Sequence, residues 1–336
     1  MSDARTRRAR VVLAAALTVL AVAVVLSLGV GARAIPPWVV WEALTSPDLS
    51  DADHTVVLTQ RIPRTVIGLL AGAALAVAGA VMQGLTRNPL ADPGLLGVNA
   101  GASLAVLTAI TLLGITAPAG FVWFAFGGAA IAAVVVAAIG SRGPDGANPA
   151  KLALTGAAVT AGLTSVSILI LTTDIVALEV YRYWSVGALT ARGLDAVGAV
   201  AGPILVGVVL AIASIRGLDL IALGEDTARG LGHDVTRTRA IGILATVLLC
   251  GGATAIAGPI VFLGLLVPHA LRAFVGDSYR DLVLLGMPLG AAVLVLADVV
   301  GRVIAAPGEV QAGIVIAFLG APVLISLVLR RKQVTL

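Results

Sequence analysis

The sequence predicts an all-α polytopic membrane protein of about ten transmembrane helices, with residues 1–336 forming a single domain. Three observations carry this. Hydrophobic residues make up 59% of the 336 and charged residues 12%, where a soluble domain carries about 25% charged residues. The mean hydropathy is +1.06. The apolar runs are continuous and lack the period-two alternation of membrane barrels. Aromatics are scarce at 4%, so helix packing falls to Gly, Ala and Val, and the 39 glycines suit close contacts between small residues. Cys250 is the only cysteine and lies in an apolar run, so no internal disulfide forms.

The spans follow in order. Val11–Ala32 lacks Asp, Glu, Lys and Arg. Ala32–Ala34 resembles a signal-peptide cleavage site, but the apolar stretch of about 22 residues exceeds a signal core of about 7–15, so it is expected to stay as span one. Thr65–Leu85 is span two, entered by Arg61 and Arg64. Gly94–Gly140 is long enough for two spans of roughly 20 residues each, hinged at "TAPAG", Thr116–Gly120. Leu152–Thr173 and Ala196–Ile215 are the fifth and sixth. Ala240–Pro268 is long for one span and short for two. A break at "AGPI", Ala257–Ile260, with the second piece running through His269 to Val275, makes it two. Leu282–Ala297 and Val310–Leu329 complete ten.

Charge placement decides between nine and ten. Arg5, Arg7, Arg8 and Arg10 crowd one terminus, and Arg330, Arg331 and Lys332 the other. Positive charge marks the cytoplasmic side, so both tails (1–10 and 330–336) are expected there and the span count is even. Ser141–Lys151, Arg216–Arg239 and Gly276–Asp281 are then cytoplasmic. The loop Arg33–Arg61, with Glu42, Asp48, Asp51 and Asp53, is external.

On this topology "RNPLADPG" is a rigid inner turn. Pro89 and Pro93 fix its backbone, and Asp92 caps the helix that opens near Pro93. The segment Arg216–Arg239 mixes charges with Ala and Leu, and Gly224 and Gly230–Gly232 divide it into two short helical pieces. His54, His233 and His269 are far apart, without metal-ligand spacing. Asp298 stands four residues before Arg302, an ion-pair spacing. No G-x-x-x-x-G-K-[ST] phosphate loop occurs, and the lysines are Lys151 and Lys332 alone. The chain is therefore not expected to hydrolyse ATP. An ion-coupled secondary transporter would need acids within broken spans, and the mid-span windows lack them.

"RIPRTVIGLLAGAALAVAGAVMQGLTRNPLADPGLLGVNAGASLA" at Arg61–Ala105 resembles the FecCD permease family. So do "YWSVGAL" at Tyr183–Leu189, "LGEDTARGLG" at Leu223–Gly232, "GPIVFLGLLVPHALR" at Gly258–Arg272, "LADVVGR" at Leu296–Arg302 and "GIVIAFLGAPVLISLVLRR" at Gly313–Arg331. These permeases serve binding-protein-dependent ABC importers of iron-siderophores, haem and cobalamin, with the type II importer fold of ten helices per subunit.

The resemblance implies roles for particular residues. Leu223, Gly224, Glu225, Asp226, Ala228, Arg229, Leu231 and Gly232 would form the segment that docks on an ATPase. Arg87, Asn88, Pro89, Asp92 and Pro93 would be an inner hinge beside it. Arg61, Arg64 and Arg302 would receive carboxylates of an extracytoplasmic substrate-binding protein, a task suited to the planar guanidinium fork. From their own positions in the chain, and not from the resemblance, His269 and Arg272 are expected to be an inner-face pair near the ATPase, Glu309 a helix cap, and Pro144–Thr155 the inner gate.

Implied partners are two ATPase subunits, which carry ATP and Mg, a second permease subunit (the same chain or a paralogue) and the lipid bilayer. No nucleic acid, cofactor or metal is expected on this chain. The expected location is the bacterial cytoplasmic membrane. Ferric siderophore is the expected cargo, with cobalamin and haem as alternatives. One departure is visible: Gln311 stands where the family usually has proline before the last span.

Overall fold

The computed structural model describes residues 2–31, 33–140, 142, 149–190 and 193–332, so the part of the expected gate at 144–148 lies outside the described residues. Among the described residues the chain is helical without strands. Ten apolar helices match the ten expected spans, seven of full membrane length and three shorter. They are α1 (Ser2–Gly29), α4 (Ile62–Thr86), α5 (Val98–Leu113), α6 (Pro118–Gly140), α7 (Pro149–Thr173), α9 (Leu194–Ala222), α11 (Val235–Ala257), α12 (Leu263–Val275), α13 (Tyr279–Ile304) and α14 (Ala312–Lys332). Four shorter helices connect them: α2 (Pro37–Thr45), α3 (Ala52–Val56), α8 (Ile175–Ser185) and α10 (Glu225–Gly230).

Both expected breaks are present. α5 stops at Gly114, whose φ of 65° ends the helix, and α6 opens at Pro118. α11 stops at Gly258 (φ 74°), and Gly258–Phe262 separates it from α12.

Two boundaries differ from the sequence reading. Span two begins well before Thr65: α3, a π-helical turn (Val57–Arg61) and α4 form one rod, Ala52–Thr86. At about 1.5 Å per residue this rod is about 50 Å long and outreaches a hydrocarbon core of about 30 Å. Its far end is capped by Asp51, which accepts the Asp53 and His54 amides. The helix α8 was not expected. It starts at Asp174, whose carboxylate accepts the Val176 and Ala177 amides at 3.0 Å each. The Ala177 amide first, and then the Thr111 hydroxyl, hold that carboxyl below its usual range.

The rod's α4 is the central helix. It packs on α13, α11, α9 and α12, and 78% of its apolar window is buried; for α7 the figure is 11% and for α1 17%. Glycine sets the spacing around it. A Cβ on Gly79 would stand 1.9 Å from the Gly264 carbonyl oxygen, and one on Gly72 2.4 Å from that of Gly290. Gly101 and Gly128 do the same between α5 and α6, each 2.3 Å from the other's carbonyl oxygen. Backbone touches backbone at these crossings, as packing through small residues requires.

Candidate functional site

Arg5 and Asp281 are paired at 3.3 Å, and Arg5, Arg8, Leu223 and Asp277 line one cleft. The start of α1, the α9–α10 junction and the α12–α13 turn therefore share one face, the arginine-rich face. α2, α3 and the α13–α14 connection lie at the other end, the far face.

At the far face the structure brings Arg61, Arg64 and Arg302 together. Their guanidinium groups turn inward. Arg64 Nε donates to Asp298 Oδ1 and Oδ2 at 2.9 and 2.8 Å, and Arg64 Nη1 to Glu309 Oε2 at 2.8 Å. Arg302 donates to Asp298 Oδ2 from Nε (3.0 Å) and Nη2 (2.6 Å), and to the Ser27 carbonyl and hydroxyl at 2.8 Å each. Arg61 donates to the carbonyls of Leu28 and Arg33. Arg61, Arg64 and Arg302 are 5%, 8% and 2% exposed, and Asp298 1%. This differs from three open forks awaiting a partner. Two arginines share one carboxylate deep in the helix bundle, and helix-end carbonyls of α1 complete the set. Glu309, read as a cap, is instead the network's outer member, with its side chain 30% exposed. The Asp298–Arg302 pairing is as the spacing implied, with Arg64 as a second partner.

The loop after Glu309, which carries Gln311, is held against α13. Val310 N–H donates to the Gly301 carbonyl at 3.0 Å. A Cβ on Gly301 would stand 2.0 Å from the Val310 carbonyl oxygen. Contact with α13 thus holds the segment that precedes α14.

The turn Arg87–Pro93 is built as its residues imply. Arg87 takes φ 50° and ends α4, with the Asn88 amide returning to the Gln83 carbonyl at 3.2 Å. Asn88 Oδ1 accepts the Leu90 amide (3.1 Å) and Asp92 Oδ1 the Gly94 amide (2.8 Å). Asp92 thereby caps a 3-10 turn, Pro93–Leu96. That turn packs against α4, α5, α6, α7 and α11, whereas α10 packs on α9 and α11. The contact with α7 is the tightest: a Cβ on Gly156 would stand 1.7 Å from the Leu95 carbonyl oxygen. The turn is a brace for α7. Sequence reading missed Gly156, because nothing local marks a glycine that faces a carbonyl sixty residues away.

The segment Leu223–Gly232 is narrower than Arg216–Arg239. Arg216–Ala222 continues α9 and Val235–Arg239 opens α11, leaving a single short helix, α10. Gly224 (φ 113°) and Gly232 (φ 78°) supply the left-handed backbone at its two ends. Ala228 packs with Ile221 and Val235, and Glu225 is paired with both Arg229 (3.6 Å) and Arg239. Leu223 and Leu231 stand 65% and 63% exposed on either side, with Asp226 and Arg229 also exposed. A charged helix flanked by two bare leucines, tied down by one alanine and one ion-pair cluster, has the make-up of a protein contact.

Arg272 donates to Gln83 Oε1 and is paired with Asp277 at 3.0 Å. Gln83 Nε2 in turn donates to the Gly264 carbonyl at 3.2 Å, so Arg272 links α12 to α4 near the arginine-rich face. His269 stands three residues earlier on α12. His54 accepts the Asp48 amide at 3.1 Å, and His233 Nε2 lies 2.7 Å from Thr238 Oγ1. The three histidines are thus separate. Among the described residues no three His, Cys, Asp or Glu side chains gather as a metal site would need.

Comparison with known proteins gives the chain's family. The model of the FecCD transport family matches residues 19–330. The ferric enterobactin transport system permease protein FepD of Escherichia coli is 47% identical over 94% of each chain. The iron(3+)-hydroxamate import system permease protein FhuB of Bacillus subtilis is 37% identical over 98% of this chain and 85% of its own. The cobalamin import system permease protein BtuC of Halobacterium salinarum is 36% identical over 97% and 89%. Among solved structures, one described as an inward-facing metal-chelate type ABC transporter superposes with a TM-score of 0.80 at 24% identity, covering 95% of this chain and 99% of its own.

Proposed function

The chain belongs to the FecCD transport family and is a membrane permease subunit of an ABC importer; from that premise we propose that its cargo is a ferric siderophore. The observation that carries the cargo is the 47% identity, over almost the full length, to a ferric enterobactin permease.

Several features support the rest of the reading. The arginine-rich face is cytoplasmic by the positive-inside rule, which puts both termini inside. The expected membrane is the bacterial cytoplasmic one. α10 docks on an ATPase subunit that carries ATP and Mg, and its exposed Leu223 and Leu231 are the apolar contacts. A short element bound by few ties passes rigid-body motion from that subunit to α9 and α11. α7, little buried and braced by the 3-10 turn, faces a second permease subunit across the path.

An external binding protein meets the far face. Its carboxylates reach Arg64 by exchange with Glu309, because Glu309 is the exposed member of the network. Three cations against Asp298 and Glu309 leave the cluster with one positive charge in excess. That excess favours an incoming anion over an incoming cation.

The cargo is tested by uptake in a strain deleted for the gene, with and without restoration. Radio-iron on several siderophores, haem and labelled cobalamin form the panel. Restored uptake of an iron chelate supports the proposal. Restored uptake of cobalamin or haem alone refutes the cargo and keeps the machinery.

A further inference from the structure

Two cavities on the arginine-rich face adjoin each other; the transport reading uses Leu223 from the lining of the first and no residue of the second. The first is a cleft of about 900 Å³ between the start of α1, the end of α9 and the α12–α13 turn. Arg5 and Arg8 line it from α1. The second is a groove of about 280 Å³ walled by Val11, Ala15 and Val19 of α1 and by Ala270 and Phe274 of α12. Phe274 belongs to both. The cleft is polar and basic on one side, and the groove is apolar throughout.

Among the cleft's cations Arg5 and Arg8 are the exposed ones, whereas the side chain of Arg272 is 15% exposed. Asp277 is paired with Arg272 at 3.0 Å. Asp219 accepts the Tyr279 amide at 3.0 Å. Arg5 makes one ion pair among the described residues, with Asp281 at 3.3 Å, and its side chain stays 59% exposed. Arg8 is exposed and makes no ion pair among the described residues. An anion entering beside α1 meets one arginine held by an exposed ion pair and another with no ion pair among the described residues.

We propose that this paired cleft and groove is a binding site for one anionic phospholipid, its phosphate held by Arg5 and Arg8 and an acyl chain laid between α1 and α12. The dimensions agree. From Arg8 to Val19 the helix rises about 16 Å, close to half of a hydrocarbon core of about 30 Å, which is the reach of one leaflet. Basic pockets between helices on the cytoplasmic side are suited to anionic headgroups. The choice of leaflet rests on the cytoplasmic orientation proposed above; the site itself does not.

The full chain, purified in non-ionic detergent, is to be mixed with phosphatidylglycerol or phosphatidylcholine and its retained lipid counted by native mass spectrometry. Phosphatidylglycerol is expected to be kept in preference. Arg5→Gln with Arg8→Gln is expected to weaken its retention roughly thirtyfold, on the scale of membrane-surface arginines. Ala15→Trp fills the groove and is expected to lower retention with both arginines in place. Melting temperatures of the variants show that each is folded. Soluble glycerol phosphate is expected not to compete, since it lacks the chain; competition would reduce the site to a phosphate pocket and overturn the lipid. Equal retention of the two lipids, or retention untouched by both variants, overturns the proposal. So does loss of ATPase-subunit binding in the arginine variant with lipid unchanged, which makes the cleft a protein contact. An N-terminal tag labelled from outside the cell refutes the orientation and the leaflet, while the detergent result still judges the site.

Discussion

The far-face charge network and α10 are built from the same residue types and behave as opposites. Both contain arginines and acids in close pairs. In the network, Asp298 is 1% exposed and serves two arginines from α4 and α13, while Glu309 accepts from Arg64 and the Ser27 carbonyl of α1 from Arg302. In α10, Glu225 pairs with exposed Arg229 and half-buried Arg239, and this cluster and one alanine side chain tie the helix down. Burial decides the difference. A charge out of water must be paired and hydrogen-bonded or it destabilises the fold, whereas an exposed pair contributes little. The network therefore fixes three helices together, whereas α10 is held by fewer ties between its two glycines.

Breaking the network is the largest change this contrast predicts. Asp298→Ala leaves Arg64 and Arg302 buried without their shared anion, and is expected to destabilise the protein by about 3–5 kcal/mol. Yield of folded protein and melting temperature check this. A melting point unchanged from the parent would show that water reaches the network and that the contrast fails.

Next is the backbone contact that supports α7. Gly156→Ala puts a methyl group 1.7 Å from the Leu95 carbonyl oxygen. Overpacking of this kind costs about 1–3 kcal/mol. Uptake should fall with the α7 displacement, while Gly162→Ala on the same helix, where a Cβ meets open space, should be silent.

The α10 variants sharpen the comparison from the other side. Leu231→Asp is expected to leave stability within about 0.5 kcal/mol, as for exposed positions without special contacts. It is expected to weaken binding of the ATPase subunit by about 2 kcal/mol, the scale of a central interface residue. Pull-down of the subunit and a melting curve separate the two effects. Asp92→Ala should be milder for the fold, about 1 kcal/mol for a lost cap. Asp92→Arg should impair transport more than membrane insertion, and normal uptake at normal expression would remove the turn from the mechanism.

The sequence showed the ten helices because a charge-free apolar run is a property of neighbouring residues. It showed the breaks at Gly114–Pro118 and Gly258 for the same reason. It did not show α8, whose eleven residues are too short and too mixed to stand out. Depth was illegible as well. Arg64 and Asp298 are 234 residues apart, so nothing local says that the arginine is buried. The loop Arg216–Arg239 was drawn too long, because Arg216 and Arg237 read as loop charges and are in fact exposed residues on the ends of α9 and α11.

The measurement that tests the account most directly is ferric siderophore uptake into proteoliposomes that hold this chain with the proposed ATPase subunit and binding protein. The energy source is supplied either as ATP or as an ion gradient. The account predicts uptake with ATP alone, abolished by Leu231→Asp while the variant remains folded. Uptake driven by an ion gradient without the ATPase subunit would contradict it.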